Sequence, residues 1–345
     1  MQTGGAAGLW TRSAEAYERD NGGVVIRDRE GAWWVRACDP SRVEARWFGV
    51  KADGSHDDGP ALQRAIDSLP AAGGVVLLPT GRMRCGASLR IGRSHVTIQG
   101  ANCGLLSKLF EPGKQVGQGS LLVFDAGVDG IVIEAEPGEL DRLGGITLRE
   151  FGIAGTGRSG GQTGIKVLCP AHRTWGSTDA LLLERLYVIE CQWCAYLKHS
   201  DAGIINQCWF SECGNGLHLD ACIYTVVQGP CFADNDGLGL LMTGGHGNEI
   251  ASGVFVRNKE GLVIQGARTT RVNGGVFGSD TAGSIPRQDT ALIRVTGESE
   301  LAVTGASFTV TGQPIAAGIA HDASSRVEHA GCQVSGELSQ VMEGD

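Results

Sequence analysis

An all-β fold, a right-handed single-stranded parallel β-helix (a solenoid), follows from three features of this 345-residue sequence. Glycine is the compositional outlier, at 54 residues against only 10 prolines, with no G-X-Y period. Glycine at that density among short β-branched runs means many tight turns between many short strands. Secondly, an aromatic residue recurs at Tyr187, Phe210, Phe232, Phe255 and Phe277, at spacings of 23, 22, 23 and 22. Thirdly, the stretch WFGVKADGSHDDGPALQRAIDSLPAAGGVVLLPTG, residues 47–81, joins an Asp-rich turn, an amphipathic helix and an apolar strand.

The repeat fixes the architecture. Three residues after the last four aromatics stand Cys213, Asn235, Asn258 and Asp280, and a Gly with an apolar pair follows (GLHL, GLGLL, GLVI). A period of 22–23 residues is too short for two helices and their turns. It suits three short strands and three bends, one coil of a β-helix that buries its inward side chains on the coil below. Like residues then stack about 4.8 Å apart. The aromatics form an internal ladder, and the polar residue three places on sits at a bend. Roughly five regular coils span 180–280, with looser ones at Val96–Gln99, Leu121–Phe124, Ile131–Glu134 and Ile146–Ile153, and again at Leu292–Val295 and Leu301–Val310. The period is broken at 155–164, 169–179 and 281–290. Insertions in a solenoid become flanking loops, often on the binding face.

In residues 47–81, apolar side chains at 61, 62, 65, 66 and 69 share one helical face. Asp58 is placed to cap that helix, with Pro60 in its first turn, while Asp53 and Asp57 tie down the loop. The helix over 59–69 is expected to plug the open end of the solenoid. Residues 1–46 form a separate N-terminal arm or connector, in which GGVVIRD and AWWVRAC read as a hairpin. The β-helix domain takes 47–345.

Phe48, Gly49, Asp53, Gly54, Asp57, Asp58, Leu62, Gln63, Ala65, Ile66, Gly73, Gly74, Pro79 and Gly81 match a known signature. Over about residues 20–100 the chain closely resembles the pectate-lyase-like parallel β-helix superfamily, of the bacteriophage tailspike depolymerase type. Ala52 and Gly59 depart from the usual Gly and Thr. The resemblance implies a protein that binds and cleaves a bacterial surface polysaccharide (capsule, exopolysaccharide or O-antigen). It implies a homotrimer, an arm that meets other phage tail proteins, and a place on the virion tail or outside the cell. The superfamily holds hydrolases, lyases, epimerases and non-catalytic proteins, so the signature specifies fold far more than chemistry.

Charge narrows the partners. Net charge is −9, which argues against a phosphate-binding surface and so against nucleic acid. No apolar run approaches the ~20 residues of a membrane helix, and no Sec-type signal is visible at the N-terminus. The expectation is a product of the bacterial cytoplasm that leaves without a Sec signal. The 11 cysteines read as buried, reduced packing residues; Cys191 and Cys194 form a lone CxxC. No metal-ligand spacing and no cofactor motif is found.

For chemistry, the coils offer Glu190, Glu212 and Asp234 at intervals of 22, each two or three residues after its aromatic. On stacked coils Glu212 and Asp234 would lie about 5 Å apart, the spacing of a retaining glycosidase, and Glu190 and Asp234 about 10 Å. Stacked carboxylates raise each other's pKa, which supplies the acid. The competing reading is that all three are solvated bend residues. The insertion CPAHRTWGSTD brings His172, Arg173, Trp175 and Asp179 together as substrate-binding candidates. His and Arg there would serve a β-elimination lyase as base and uronate-neutralising cation, and Trp175 would stack on a sugar ring. GGHGNEI is similar to the GHG element of polygalacturonases, but Asp236 to His246 is less than half a coil, so His246 reads as a turn residue. Three functions stay open: a hydrolase using paired carboxylates, a lyase using His and Arg, and a non-catalytic glycan-binding or structural tail component.

Overall fold

The computed structural model describes residues 8–104, 119–135, 142–169, 176–280 and 291–342. They form a parallel β-helix whose long sheets run the length of the chain. Each coil lays one strand on each of three faces. In the regular region the first face holds Tyr187–Ile189, Trp209–Ser211, Cys231–Ala233, Val254–Val256 and Val276–Asp280. The second holds Trp193–Lys198, Asn215–Asp220, Leu238–Thr243 and Glu260–Gln265. The third holds Leu182–Glu184, Ile204–Asn206, Val226–Gln228, Glu249–Ala251 and Thr270–Asn273. Pairing between coils is parallel and in register.

Three successive coils differ from the expected three strands and three bends. Between the second and third faces lies a short fourth leg, Thr178–Asp179 in one coil and Ser200–Asp201 in the next, with Leu143–Gly144 before them. Two turn residues with positive φ flank it, His199 and Ala202 in the second of these coils.

The interior is built from repeated side chains. Phe210, Phe232, Phe255, Phe277 and Phe308 stack with ring centroids 5.5, 4.9, 4.5 and 5.5 Å apart. All are buried. Tyr187, expected to begin this ladder, does not belong to it. Its strand pairs Tyr187 with Trp209 and Val188 with Phe210. A shift of one residue on a strand moves a side chain to the opposite face, so Val188 fills the ladder position while Tyr187 meets the edge of Trp209 on the outside. Cys213, Asn235 and Asn258, three places after Phe210, Phe232 and Phe255, point inward. Asn235 Nδ2 donates to the Phe210 carbonyl (3.2 Å) and Asn258 Nδ2 to that of Phe232 (2.9 Å). Asn235 Oδ1 accepts the Cys213 N–H at 3.1 Å. This asparagine ladder satisfies the backbone where the coil turns and its own groups are inside.

The helix Gly59–Asp67 buries Ala61, Leu62, Ala65 and Ile66 against the first coils, as its apolar face requires. Its Asp pair acts differently from expectation. Asp58, 1 % exposed, makes no side-chain cap; its two oxygens accept the N–H groups of Lys51 and Ala52 at 2.7 and 2.9 Å. Asp57 instead accepts the Gly59 N–H at the helix start and the Gly86 N–H of the neighbouring coil. Asp53 ties its own loop by accepting the N–H groups of Ser55 and His56, which holds its carboxyl well below the usual range.

In the arm, Val25–Arg27 and Trp33–Arg36 form the expected hairpin, and Trp10–Ser13 adds a third antiparallel strand. Arg36 lies between the rings of Trp10 and Trp47, 4.6 Å from each centroid, and donates to the Gly23 carbonyl. Strand Arg42–Glu44 already pairs in parallel with Gly74–Leu77 of the third face. At the other end, Ser307–His321 pairs with both Val276–Asp280 and Ile293–Thr296, so one strand runs from the first face into the second.

Candidate functional site

Glu190, Glu212, Asp234 and Arg257 occupy one position in four successive coils, at the bend between the first and second faces. All four have φ between 53° and 58°. The bend is the same each time because its backbone is hydrogen-bonded to the next coil: Glu190 N–H to Glu212 O, Glu212 N–H to Ala233 O, Asp234 N–H to Val256 O. The structure therefore brings the three predicted acids into one column. It also compensates and covers them. Arg257 clamps Asp234 with two bonds, Nε to Oδ1 at 2.5 Å and Nη2 to Oδ2 at 2.8 Å. Arg158, from the insertion at 155–162, binds Asp236 at 2.5 Å and lies within electrostatic reach of Glu190 and Glu212.

That insertion is a built cover. Gln162, 1 % exposed, accepts from Thr156 N–H and Oγ1, and its Nε2 donates to the carbonyls of Asp125 and Val128. The Arg158 carbonyl oxygen stands 2.4 Å from where a Cβ at position 214 would be, so only Gly214 lets the loop lie down. Glu212 beneath it is 2 % exposed.

The opposite edge of the second face carries another pair. Asp179 and Asp201 are in-register partners on the short fourth leg, which puts them about 4.8 Å apart along the axis. One guanidinium nitrogen of Arg142 binds both, Asp201 at 3.3 Å and Asp179 more closely. Their surroundings differ. The Asp179 side chain is 43 % exposed and that of Asp201 11 %. Burial pushes the Asp201 carboxyl up, and Asp179 adds to the rise, against Arg142, His199 and His246. Two neighbouring carboxyls in unlike environments are the arrangement that separates an acid from a base. His172, Arg173 and Trp175 lie outside the described residues; Gly176, the next described residue, stands just before this leg.

Between the two edges, the outward side of the second face is aromatic and polar. Tyr196 Oη donates to Asp220 Oδ2 at 2.6 Å, and Lys198 Nζ lies 3.8 Å from the same oxygen. Thr243 Oγ1 donates to Asp220 Oδ1 (3.3 Å) and meets His218 Nε2 at 2.8 Å. The His218 ring packs against Trp193 (5.3 Å, tilted 32°) and the edge of Tyr196 (5.1 Å). Burial lowers the His218 pKa and, with the Asp220 contact second, raises that of Tyr196. Sequence reasoning missed Arg142, Asp201, Tyr196 and Asp220 as site residues. The signal was the period itself, run from other starting points: Asp179 to Asp201 is 22, Tyr196 to His218 is 22, and Lys198 to Asp220 is 22.

No protein-family model and no curated protein matches the chain. Solved structures do. The enzymatically active domain of tailspike protein 2 from bacteriophage CBA120 superposes with a TM-score of 0.68 at 17 % identity, over 95 % of this chain and 49 % of that one. DFA-IIIase from Arthrobacter chlorophenolicus A6, without its lid, gives 0.65 at 13 %, over 87 % and 93 %. ORF18 of Geobacillus virus E2 gives 0.57 at 13 %, over 93 % and 68 %. The chain spans about half the length of the tailspike structures it matches. What the chain shares with these proteins is the fold, a right-handed parallel β-helix.

Proposed function

We propose that the protein binds a bacterial surface polysaccharide on the second face and hydrolyses it at the edge where Asp179 and Asp201 meet. The observation that carries this reading is the pair itself: two in-register carboxyls, one buried with a raised pKa, the other half exposed. A carboxyl spacing near 5 Å suits a retaining glycosidase. Asp201, holding its proton, protonates the glycosidic oxygen as the C–O bond breaks. The Asp179 carboxylate attacks the anomeric carbon and forms the glycosyl ester. Asp201, now a carboxylate, takes a proton from the water that hydrolyses it. Arg142 keeps the pair charge-balanced until substrate arrives. Trp193 and Tyr196 offer ring faces and edges for sugar, with Asp220 and Lys198 as hydrogen-bonding partners.

The column of Glu190, Glu212 and Asp234 is the second candidate for the acids; its use would require the 155–162 cover to lift and Asp234 to leave Arg257. Assembly as a homotrimer on a phage tail, with the arm meeting other tail proteins, completes the proposal. An exposed in-register row on the first face, Trp209, Val254 and Val276, supports association. Among the described residues no helix is long and apolar enough to cross a membrane.

The test is to incubate the protein with host capsule, exopolysaccharide or lipopolysaccharide and follow reducing ends together with absorbance near 235 nm. Reducing ends alone are expected. Added absorbance means a lyase, and neither signal, with sugar still bound, means a binding protein. Light scattering tests the trimer: a monomer mass would remove it.

A further inference from the structure

Three thiols meet inside the coil, directly beneath the bend that carries Glu190 and Glu212. Cys191, Cys194 and Cys213 are 2 %, 0 % and 0 % exposed. Cys194 Sγ and Cys213 Sγ are 2.6 Å apart. Two unbonded sulfurs normally keep well over 3 Å between them, whereas a disulfide bond is about 2.05 Å long. The two residues belong to adjacent coils, since Trp193 pairs with Asn215. The third thiol adjoins Cys213 as well, but no sulfur–sulfur contact as close as 2.6 Å holds it: Cys191 Sγ donates to the Ile189 carbonyl at 3.4 Å, and its backbone N–H donates to Cys213 Sγ at 3.4 Å. The polypeptide around the pair is fixed by inter-coil bonds, Gly214 N–H to Cys191 O and Asn215 N–H to Gln192 O.

From this geometry we infer that Cys194 and Cys213 are a built disulfide pair, an internal oxidative modification site that joins two coils of the solenoid. Closing the bond takes the Sγ–Sγ separation from 2.6 Å to about 2.05 Å. Two thiols become one Sγ–Sγ bond with loss of two protons and two electrons. A small-molecule disulfide of the glutathione type takes them up and leaves as two free thiols. Attack needs a thiolate, and in the finished coil burial pushes the Cys194 and Cys213 thiols up and away from that form, while the Cys213 contact and then burial do so for Cys191. The reaction therefore belongs to folding, before the coil is sealed, or to transient opening. Once formed, the bond is shielded from reductant by the same burial. The inference does not depend on the polysaccharide reading, since the triad faces inward.

The experiment is to refold the full chain from denaturant in a mixture of reduced and oxidised glutathione, and in parallel in reductant alone. Denaturing alkylation, proteolysis without reduction and mass spectrometry then read the cysteines. Expected after oxidative refolding is a cross-link between the peptides holding Cys194 and Cys213, two hydrogens lighter than their sum, with Cys191 not joined to either. Cys191→Ala keeps the link and Cys194→Ala loses it. The oxidised form should melt roughly 5 °C higher than the reduced form. Full alkylation of all three cysteines after oxidative refolding, or a link from Cys213 to Cys191, overturns the assignment. A linked form that melts no higher overturns the claim that the native positions already fit the bond.

Discussion

The second face is bounded by two sets of acids, and they differ in what lies over them. Both sit at coil corners and repeat with the 22-residue period. At one edge Glu212 is sealed beneath the 155–162 insertion and Asp234 is held by both arms of Arg257. At the other edge Asp201 is buried but its partner Asp179 is open to solvent, and one shared guanidinium serves both. A carboxylate with a full set of charged partners is a structural element. A carboxyl whose pKa burial raises in spite of a neighbouring cation holds its proton to higher pH and is the better donor of the two. The contrast shows that stacking alone does not give two carboxyls different environments; burial of one beside exposure of the other does.

The largest expected effect tests that contrast directly. Asp201→Asn should lower kcat by a factor of about 10²–10⁴ in the reducing-end assay while the protein stays folded. Glu212→Gln should leave kcat within about twofold of wild type, since on the proposed reading that side chain stays sealed beneath the insertion. The reverse result would exchange the two edges.

Next in size is Arg257→Ala. It strands the largely buried Asp234 carboxylate without its bidentate partner, and should cost about 3 kcal/mol of stability in urea denaturation, with little change in kcat per folded molecule. A loss of activity with no loss of stability would mean that the column takes part in chemistry.

The pH dependence separates the edges by sign. Asp201 has a raised folded pKa, so its contribution favours the fold below the ordinary Asp value and is lost as pH rises through the folded value. Melting curves should show that fall, and Asp201→Asn should flatten it. Activity should fall on the same rising limb, as the acid loses its proton. Asp125 behaves oppositely: the Arg84 guanidinium lowers its pKa, and its contribution is lost as pH falls. If Asp201→Asn leaves the rising limb unchanged, another group is the acid.

The smallest effect belongs to the cover. Arg158→Ala removes a partly exposed pair with Asp236 and should cost about 1 kcal/mol or less, decreasing with added salt. A large rise in activity on cutting this contact would favour the column beneath as the working site.

Much of this molecule was legible in its sequence because a solenoid repeats its physics. The spacing of Phe210, Phe232, Phe255 and Phe277 gives the coil length, the inward direction and the axial stack in one observation. The Trp47–Gly81 signature locates the cap. The errors have one cause. Periodicity assigns residues to columns, but a one-residue offset reverses a side chain, so the spacing points to Tyr187 for the ladder position that Val188 fills. It is equally silent about partners, which is how Asp58 was expected at a helix cap and is instead bound to Lys51 and Ala52.

The sequence by itself determined the fold, the length of the coil and the columns in which acids stack, because these follow from local spacing repeated many times. Only the tertiary structure decided which column is roofed and which is open. That choice rests on contacts between segments 37 to 78 residues apart, Arg142 with Asp179 and Arg158 with Asp236. It also rests on where the insertions lie once the coils are stacked. No local pattern encodes the solvent on either side of a carboxyl, and the chemistry depends on that solvent.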